Sequence, residues 1–194
     1  MRIEICGGIA AGKTTFATLM QNHGLYAILE NFQTNPFWKP FYTNPGKYIF
    51  ETEITFLLQH YHDIKISLEK KTDFICDFSL FIDLAYAQIG LEKKRLRIFK
   101  DALHELIHEV GVPFAIVHLR CDPEIQHERI MRRGRSVENS VTVDFLRLLD
   151  EKIDENLLSL SDDIKIISVD SGKYDFVNDD EFKEKIVKEI KSLV

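Results

Sequence analysis

The fold of this chain is decided by one stretch, Gly7-Gly8-Ile9-Ala10-Ala11-Gly12-Lys13-Thr14. It matches G-x-x-x-x-G-K-[ST], a loop whose glycines let backbone N–H groups converge on phosphate oxygens, with a lysine for the terminal phosphates and a hydroxyl for Mg²⁺. An apolar strand at residues 2–6 precedes it, and a helix from Thr14 to Met20 follows it. This is the context that a phosphate loop requires. The predicted nucleotide-binding residues are therefore Gly7, Gly8, Ile9, Ala10, Ala11, Gly12, Lys13, Thr14 and Thr15.

The phosphate loop by itself does not select one class of protein. GTPases, motors, nucleoside monophosphate kinases and small-molecule kinases all use it. The sequence has no N-K-x-D motif for reading guanine, which disfavours a GTPase switch, and its 194 residues are few for a mechanical ATPase. An incidental glycine-rich turn would not explain both a lysine and a hydroxyl at the demanding positions. A kinase is the favoured class.

Short apolar runs predict strands at about residues 2–6, 25–29, 73–77, 114–119 and 164–169. Helical patterns separate these runs, and alternating strands and helices predict an α/β fold with a parallel sheet covered on both faces. No repeat or linker divides the chain, so we expect one domain over residues 1–194. Two apolar helical stripes are expected in the core, with packing between two copies of one helix pair as the alternative. They are Phe50, Ile54, Leu57, Leu58, Tyr61, Ile64 and Leu68, and Ile98, Phe99, Ala102, Leu103, Leu106, Ile107 and Val110.

The composition excludes several partners. A formal net charge of -6 argues against non-specific binding to a nucleic acid polymer or an anionic membrane. No signal-peptide pattern or membrane-length apolar run is present. The three cysteines are scattered, which favours reduced core thiols over a metal site or a redox pair. We expect a cytoplasmic enzyme.

A carboxylate follows the second predicted strand, at Glu30. The carboxyl ends of the strands face the ligand crevice in a doubly wound sheet, so Glu30 is expected near the phosphate loop. There it could take the proton from an attacking hydroxyl. Taken alone, a glutamate at a strand end is more often a solvated turn residue.

Further motifs follow Glu30 in order along the whole chain. They are Asn35-Pro36-Phe37, Phe41-Tyr42-Thr43-Asn44-Pro45, Cys76-Asp77-Phe78-Ser79 with Asp83 and Tyr86-Ala87, and Arg129-Ile130-Met131-Arg132-Arg133-Gly134-Arg135 with Glu138. This set resembles the deoxyribonucleoside kinase family, most closely its bacterial deoxyadenosine/deoxyguanosine kinase-like members. The resemblance implies a P-loop kinase fold with a five-stranded parallel sheet, helices on both faces, an arginine-rich lid and a homodimer.

The resemblance also implies roles for individual residues. Glu30 is similar to the general base for the 5′-hydroxyl of the nucleoside, and Asp77 to the acidic residue linked to Mg²⁺ and the phosphates. Together with Thr14, Asp77 is the predicted metal site. Tyr42 and Glu138 resemble the pair that hydrogen-bonds the 3′-hydroxyl.

On the base side, the resemblance gives Asp83 a contact with the base and Tyr86 the aromatic ring beside it. The lid arginines that would hold the transferring phosphoryl group are Arg129, Arg133 and Arg135.

The physical chemistry of phosphoryl transfer supports the lid assignment. Negative charge spreads over the equatorial oxygens in the transition state, and fixed cations stabilise it. Arg129 and Arg133 are four residues apart on a predicted helix, and Gly134 permits the turn that returns Arg135. The alternative is a solvated basic helix face or an RNA-binding patch, which the small size of the cluster and the acidic chain disfavour.

Three residues depart from the family pattern. Phe78 replaces an arginine, Glu53 a base-reading glutamine, and His60 a second arginine. An ionised carboxylate only accepts hydrogen bonds, so Glu53 would favour a base with two donors, such as N1–H and N2–H of guanine. In the alternative, Glu53 pairs with His60 or another cation and never contacts the base.

The sequence thus predicts ATP- and Mg²⁺-dependent phosphorylation of the 5′-hydroxyl of a deoxyribonucleoside, a purine one, in nucleotide salvage. Lys13 would stabilise the transferring group, and Glu53 and His60 would belong to the substrate pocket. One alternative is a nucleoside monophosphate kinase of the thymidylate kinase type. Another is a non-catalytic nucleotide-binding regulator.

Overall fold

A parallel sheet forms the centre of the molecule, as shown by a computed structural model that describes residues 1–160, 164–176 and 178–193. Within these residues it has five strands: β1 (Arg2–Cys6), β2 (Tyr26–Ile28), β3 (Phe74–Cys76), β4 (Ala115–Arg120) and β5 (Lys165–Asp170). Their order is β2-β3-β1-β4-β5, and Ile3 lies opposite both Ile75 and Ala115. The predicted α/β fold and the five predicted strands are confirmed. Val194, the last residue of the predicted domain, lies outside the described residues.

Helices connect the strands. They are α1 (Lys13–Asn22), α2 (Trp38–Thr43), α3 (Pro45–Glu69), α4 (Leu80–Gly90), α5 (Lys93–Val110), α6 (Pro123–Arg133), α7 (Val143–Leu158) and α8 (Asp180–Lys191). Two short 3₁₀ helices span Phe32–Thr34 and Ser136–Ser140. The long helix α3 begins earlier than its apolar stripe, because Pro45 occupies the first turn, where a missing N–H is tolerated. None of the helices in the described residues is both long and apolar enough to cross a membrane.

Side chains of the strands alternate between two packed layers, as the two-residue period of a strand requires. On one face, Ile3, Ile5 and Ile75 pack against α1 and α8. On the other face, Phe74 and Cys76 pack against α3 and α5, while α4 and α7 cover the middle of the sheet. Helices therefore cover both faces, as predicted.

The apolar stripes of α3 and α5 are wider than the surfaces that cover them. Leu57 and Phe99 are fully buried, but Leu58, Leu68 and Ile98 are 50%, 40% and 49% exposed. The expectation that the whole stripes are core is wrong at these three positions. Each helix contacts the sheet and its neighbours along one side only, so the edge of the stripe faces outward.

The strand order brings three loops to one edge of the sheet. β1 lies at the centre of the sheet, with β3 and β2 on one side and β4 and β5 on the other. The strand order reverses at β1, and ligands bind in the crevice that such a reversal creates at the carboxyl ends of the strands. The phosphate loop follows β1, Glu30 follows β2, and Asp77 follows β3. These residues are therefore neighbours although they are far apart in sequence.

Candidate active site

The phosphate loop ends at the first turn of α1. Gly12 caps this helix with a φ of 99°, a left-handed conformation that favours glycine. The Lys13 ammonium donates hydrogen bonds to the carbonyl oxygens of Gly7 and Gly8, both at 2.9 Å. Burial lowers the pKa of Lys13, and the nearby carboxylates oppose this effect. The loop is therefore folded around the Lys13 ammonium group, a cation that can bind phosphate oxygens.

Two polar side chains, the buried Gln126 and the partly buried Asp150, pack behind the loop. A side chain at Gly8 would meet Gln126 and Asp150, with Oδ1 of Asp150 only 2.7 Å from the added Cβ. The Gln126 amide donates to Asp150 at 2.7 Å and to the Cys121 carbonyl at 2.8 Å. Burial raises the pKa of Asp150 to about 6. Sequence reasoning missed this pair, because isolated polar residues on α6 and α7 give no motif.

Asp77 connects the phosphate loop to the second strand end. Its carboxylate accepts a hydrogen bond from the Thr14 hydroxyl at 2.8 Å and from the backbone N–H of Glu30 at 2.5 Å. Asp77 is almost fully buried, and this burial raises its pKa. The two predicted metal ligands, Thr14 and Asp77, are thus in direct contact.

The donor set at this point fits Mg²⁺. A hydroxyl and one carboxylate are the oxygen ligands that Mg²⁺ takes from a protein when water and substrate phosphates complete its coordination. Among the described residues, no group of three or more His, Cys, Asp or Glu side chains forms a metal cage. A metal shared with phosphates fits this arrangement better than one held by protein alone.

Glu30 lies on the wall of the cleft beside the phosphate loop. Its carboxylate is 31% exposed and accepts a hydrogen bond from Nε2 of His60 at 3.1 Å. Burial would raise the pKa of Glu30, but the hydrogen bond and charge of His60, with the charge of Lys13, outweigh burial and lower it. The carboxylate is therefore ionised and reaches the cleft, which a general base requires.

His60 is held on every side. Nδ1 lies 2.8 Å from Oδ2 of Asp83, and the ring stacks on Phe78 with centroids 4.0 Å apart and an interplanar angle of 7°. Phe56 stacks on the same ring at 5.9 Å. Burial lowers the pKa of His60, but the charge and hydrogen bonds of Asp83 and Glu30 prevail and raise it to about 10.

Glu53 lines the cleft about two helical turns before His60, on the same side of α3. Only 5% of Glu53 is exposed. The alternative that Glu53 pairs with His60 does not occur, since both ring nitrogens of His60 serve Asp83 and Glu30. Burial and the charge of Asp83 raise the pKa of Glu53 well above its ordinary value, although His60 opposes them. A neutral carboxyl group offers one donor and one acceptor. The ionised state assumed in the sequence argument for guanine does not fit this environment.

The lid segment, Arg129–Arg135, leaves α6 through Gly134, whose φ of 67° turns the chain back as predicted. Arg133 and Arg135 both bind the Glu138 carboxylate, at 2.6 Å and 3.3 Å. Glu138 is almost fully buried, and the two guanidinium groups are partly exposed. Glu138 therefore fixes the positions of Arg133 and Arg135, and both guanidinium groups line the cleft.

Arg129 is placed differently from the other two arginines. Its guanidinium donates to the carbonyl oxygens of Ala10, at 3.3 Å, and Ser171, at 2.7 Å. It thus ties the phosphate loop to the loop after β5. Arg135 instead lies over the Phe32 ring, with 4.4 Å to its centroid, which connects the lid to the segment after Glu30.

Tyr42 and Tyr86 enclose the far end of the cleft. Burial and the nearby Glu138 carboxylate raise the pKa of Tyr42 to about 12, so the structure brings Tyr42 and Glu138 together as predicted. Burial also raises the pKa of Tyr86. Trp38 packs edge-on against Tyr42 at 5.7 Å and lines the same wall.

One continuous cleft joins all these groups and has a volume of about 1280 Å³. The predicted site residues in its lining are Ile9, Ala10, Gly12, Lys13, Thr14, Thr15, Glu30, Tyr42, Glu53, His60, Asp83, Tyr86, Arg129, Arg133, Arg135 and Glu138. Single-ligand pockets usually measure about 300–1,000 Å³, so this cleft has room for two ligands side by side. Asp77 lies behind the lining, where it contacts Thr14 and Glu30.

Comparison with known proteins agrees with this geometry. The family model for deoxynucleoside kinases matches residues 3–194. A deoxyguanosine kinase of Bacillus subtilis (strain 168) is 28% identical over 201 residues, covering 99% of this chain and 97% of the relative. A deoxyadenosine/deoxycytidine kinase of the same strain is 25% identical and covers 99% of this chain and 92% of its own.

A solved structure shows the same fold. A deoxyadenosine kinase from M. mycoides with bound dCTP superposes with a TM-score of 0.83 and covers 99% of this chain and all of its own chain, at 21% identity. The parallel sheet and its helices therefore match those of a solved deoxynucleoside kinase.

Proposed function

Because this chain belongs to the deoxynucleoside kinase family, we propose that it transfers the γ-phosphoryl group of ATP to the 5′-hydroxyl of a purine deoxyribonucleoside in nucleotide salvage. One observation carries the proposal. The Asp77 carboxylate holds the Thr14 hydroxyl of the phosphate loop and the backbone of Glu30 at the same time, at 2.8 Å and 2.5 Å. The Glu30 carboxylate is thereby fixed beside the phosphate loop, where a terminal phosphate would bind.

In the proposed step, the O–H bond of the 5′-hydroxyl breaks as its proton passes to Glu30. The oxygen forms a bond to the γ-phosphorus, and the bond from that phosphorus to the ADP oxygen breaks. Lys13, Arg133 and Arg135 supply the positive charge that stabilises the equatorial oxygens. Arg129 would add to this charge while it keeps the lid against the phosphate loop.

Mg²⁺ would be held by Thr14 and by Asp77, and would neutralise part of the phosphate charge when bound. Their contact at 2.8 Å supports this part of the proposal. Tyr42 and Glu138 would hold the 3′-hydroxyl at the opposite end of the sugar.

Glu53, Asp83 and Tyr86 would surround the base. A neutral Glu53 can donate to N1 and accept from N6–H of adenine, or donate to O6 and accept from N1–H of guanine. An ionised Glu53 would accept from two guanine donors only. Guanine suits both states of Glu53 and adenine only the neutral one, so the preference for guanine over adenine should increase as the pH rises.

A nucleoside panel tests the proposed function. Deoxyguanosine, deoxyadenosine, deoxycytidine, thymidine and dTMP would each be incubated with ATP and Mg²⁺, and ADP release measured. We expect turnover of the purine nucleosides and little of dTMP. Failure of every nucleoside would overturn the proposal.

The variant Glu30→Ala tests the general base. Loss of such a group typically costs about 10²–10⁴ in kcat, so turnover should fall by that factor while ATP affinity, measured by calorimetry, stays near the wild-type value. Glu69→Ala, at an exposed position on α3, is the control. A near-normal kcat for Glu30→Ala would remove Glu30 from the mechanism.

A nucleoside monophosphate kinase of the thymidylate kinase type remains the second candidate. Such an enzyme needs a cation for the phosphate of its acceptor. His60, the cation in contact with Glu30, is already bound to Asp83 at 2.8 Å, which disfavours this reading. Binding of ATP without turnover of any acceptor would instead favour a non-catalytic regulator.

We also propose a homodimer in the cytoplasm. The exposed Leu58 and Ile98 on the adjacent helices α3 and α5 are suited to contact with a second copy. The free, buried thiols Cys6, Cys76 and Cys121 fit a reducing compartment.

A further inference from the structure

A single imidazole ring joins the proposed general base to the base pocket. Nε2 of His60 lies 3.1 Å from Oε1 of Glu30, and Nδ1 lies 2.8 Å from Oδ2 of Asp83. A neutral imidazole has only one N–H and can donate to one of these carboxylates. An imidazolium has two, and it satisfies both contacts.

The orientation of the ring is fixed by stacking. Phe78 lies parallel to it at 4.0 Å, and Phe78 directly follows Asp77, which holds the backbone of Glu30. Only 4% of His60 is exposed. The ring has little freedom to rotate, so Nε2 stays directed at Glu30.

We propose that His60 is a positioning residue for phosphoryl transfer: as an imidazolium it binds Oε1 of Glu30 and leaves Oε2 free to accept the proton of the substrate hydroxyl. The inference rests on the proposed function, in which Glu30 is the base. An imidazolium has no acceptor nitrogen, so His60 does not relay the proton. It acts through Glu30, by orientation and by charge, and Asp83 in turn stabilises that charge.

The electrostatic surroundings agree with this role. Burial would raise the pKa of Glu30, and His60 makes the largest contribution in the other direction, ahead of Lys13 and Arg135. Asp77 also faces Glu30, and its negative charge acts in the same direction as burial.

The other groups that face His60 are carboxylates. Asp83 of α4 and Glu30 hold its charge through direct contacts, while Glu53 of α3 faces it without a hydrogen bond or an ion pair to it in the part of the chain that the structure describes. Removing the imidazolium should therefore leave Oε1 of Glu30 without the partner that fixes its orientation. The loss should appear in kcat, because the carboxylate is then less well positioned for the substrate hydroxyl.

The test compares His60→Gln, which keeps an amide donor but no charge, with His62→Gln at an exposed position of α3. The measurement is kcat/KM for the best deoxyribonucleoside, with saturating ATP and Mg²⁺, from about pH 5 to about pH 9. For His60→Gln we expect kcat/KM to fall about tenfold or more through kcat, with little change in the KM for the nucleoside. His62→Gln should reproduce the wild-type profile.

A second arm remains informative if His60→Gln is unstable. His60→Ala opens a space on the face of Phe78, and added imidazole can enter it as a cation. We expect imidazole to raise the kcat of His60→Ala about fivefold or more without changing the wild-type rate, as charge restored at Glu30 would require. Thermal unfolding and ATP titration would establish that the variant is folded.

A third arm needs no turnover. In protein labelled with ¹⁵N-histidine, NMR should show the His60 ring protonated at both nitrogens throughout about pH 6 to 8.5, with its signals missing in His60→Gln. A neutral His60 ring near pH 7 would overturn the inference. So would an active wild-type enzyme whose His60→Gln variant differs only in the KM for the nucleoside. A wild-type protein inactive on every nucleoside would instead overturn the proposed function.

Discussion

The substitution Glu53→Gln tests the protonation state of a buried acid that faces the cleft. Glutamine has nearly the same shape as a neutral glutamic acid, and it cannot ionise. Burial and the charge of Asp83 raise the pKa of Glu53 well above its ordinary value of 4.5, against the opposing charge of His60. The folded wild-type protein should therefore hold a proton that the unfolded chain releases.

The sign and size of the effect follow from this proton. Since the folded state binds the proton more tightly, the stability of the wild-type protein falls as the pH rises from the unfolded pKa towards the folded pKa. The slope for one proton is about 1.4 kcal/mol per pH unit. The glutamine of the Glu53→Gln variant cannot ionise, so the variant does not lose stability in this way as the pH rises. Its free energy of unfolding relative to the wild type should thus increase with pH, by at most about 1.4 kcal/mol per pH unit.

Urea denaturation of the free protein at about pH 5.5, 6.5 and 7.5 would measure the difference. Glu69→Gln replaces an exposed carboxylate on the same helix and should show almost no pH-dependent difference from the wild type. A constant difference between Glu53→Gln and the wild type at all three pH values would refute a neutral Glu53. Glu53 would then be ionised, and the sequence argument that an ionised Glu53 favours guanine would again apply.

The kinetics of the same variant give an independent check. Glutamine keeps one donor and one acceptor, so kcat/KM for purine nucleosides should stay within about threefold of the wild type near pH 7. Glu53→Leu loses both groups and should reduce it by about tenfold or more. The ratio of deoxyguanosine to deoxyadenosine turnover should rise with pH in the wild type and remain constant in Glu53→Gln.

Two further substitutions test the phosphate loop and the assembly. In Gly8→Ala, the added methyl group would press against Gln126 and Asp150. The variant should have a free energy of unfolding lower by about 1–3 kcal/mol in urea denaturation and weaker ATP binding in calorimetry. Wild-type stability and ATP affinity would contradict the close packing. Leu58→Glu should convert a dimer into a monomer in light scattering. Its Tm at low protein concentration should change little, because Leu58 is 50% exposed. An unchanged molecular mass would exclude the α3 surface around Leu58 from the interface.

The phosphate loop shows how much local sequence can predict. The strand before Gly7, the glycines, and the helix after Gly12 are adjacent along the chain, so their pattern contains the whole geometry of the loop. The turn at Gly134 was predictable for the same reason. The crevice position of Glu30 required only the general rule that strand ends meet at one edge.

Contacts between distant segments were not predictable in the same way. The spacing of Glu53 and His60 placed both on one side of α3, but it could not reveal that His60 binds Glu30 and Asp83 instead of Glu53. Those partners lie 30 and 23 residues from His60 on other elements. The replacement of two family arginines by Phe78 and His60 was the signal of a rearranged cluster, and in the structure these two rings stack on each other.

The sequence by itself determined the fold class and the phosphate loop, because both follow from short-range pattern and from the order of strands and helices, whereas the acceptor-side residues of the cleft came from the resemblance to the deoxynucleoside kinase family. Only the tertiary structure decided which side chains pair and which are charged. Pairing and charge depend on burial and on neighbours from several elements at once. Glu53, predicted as an anion from its residue type, is buried in the folded chain near Asp83 and Glu30, and its burial and these negative charges favour its neutral form.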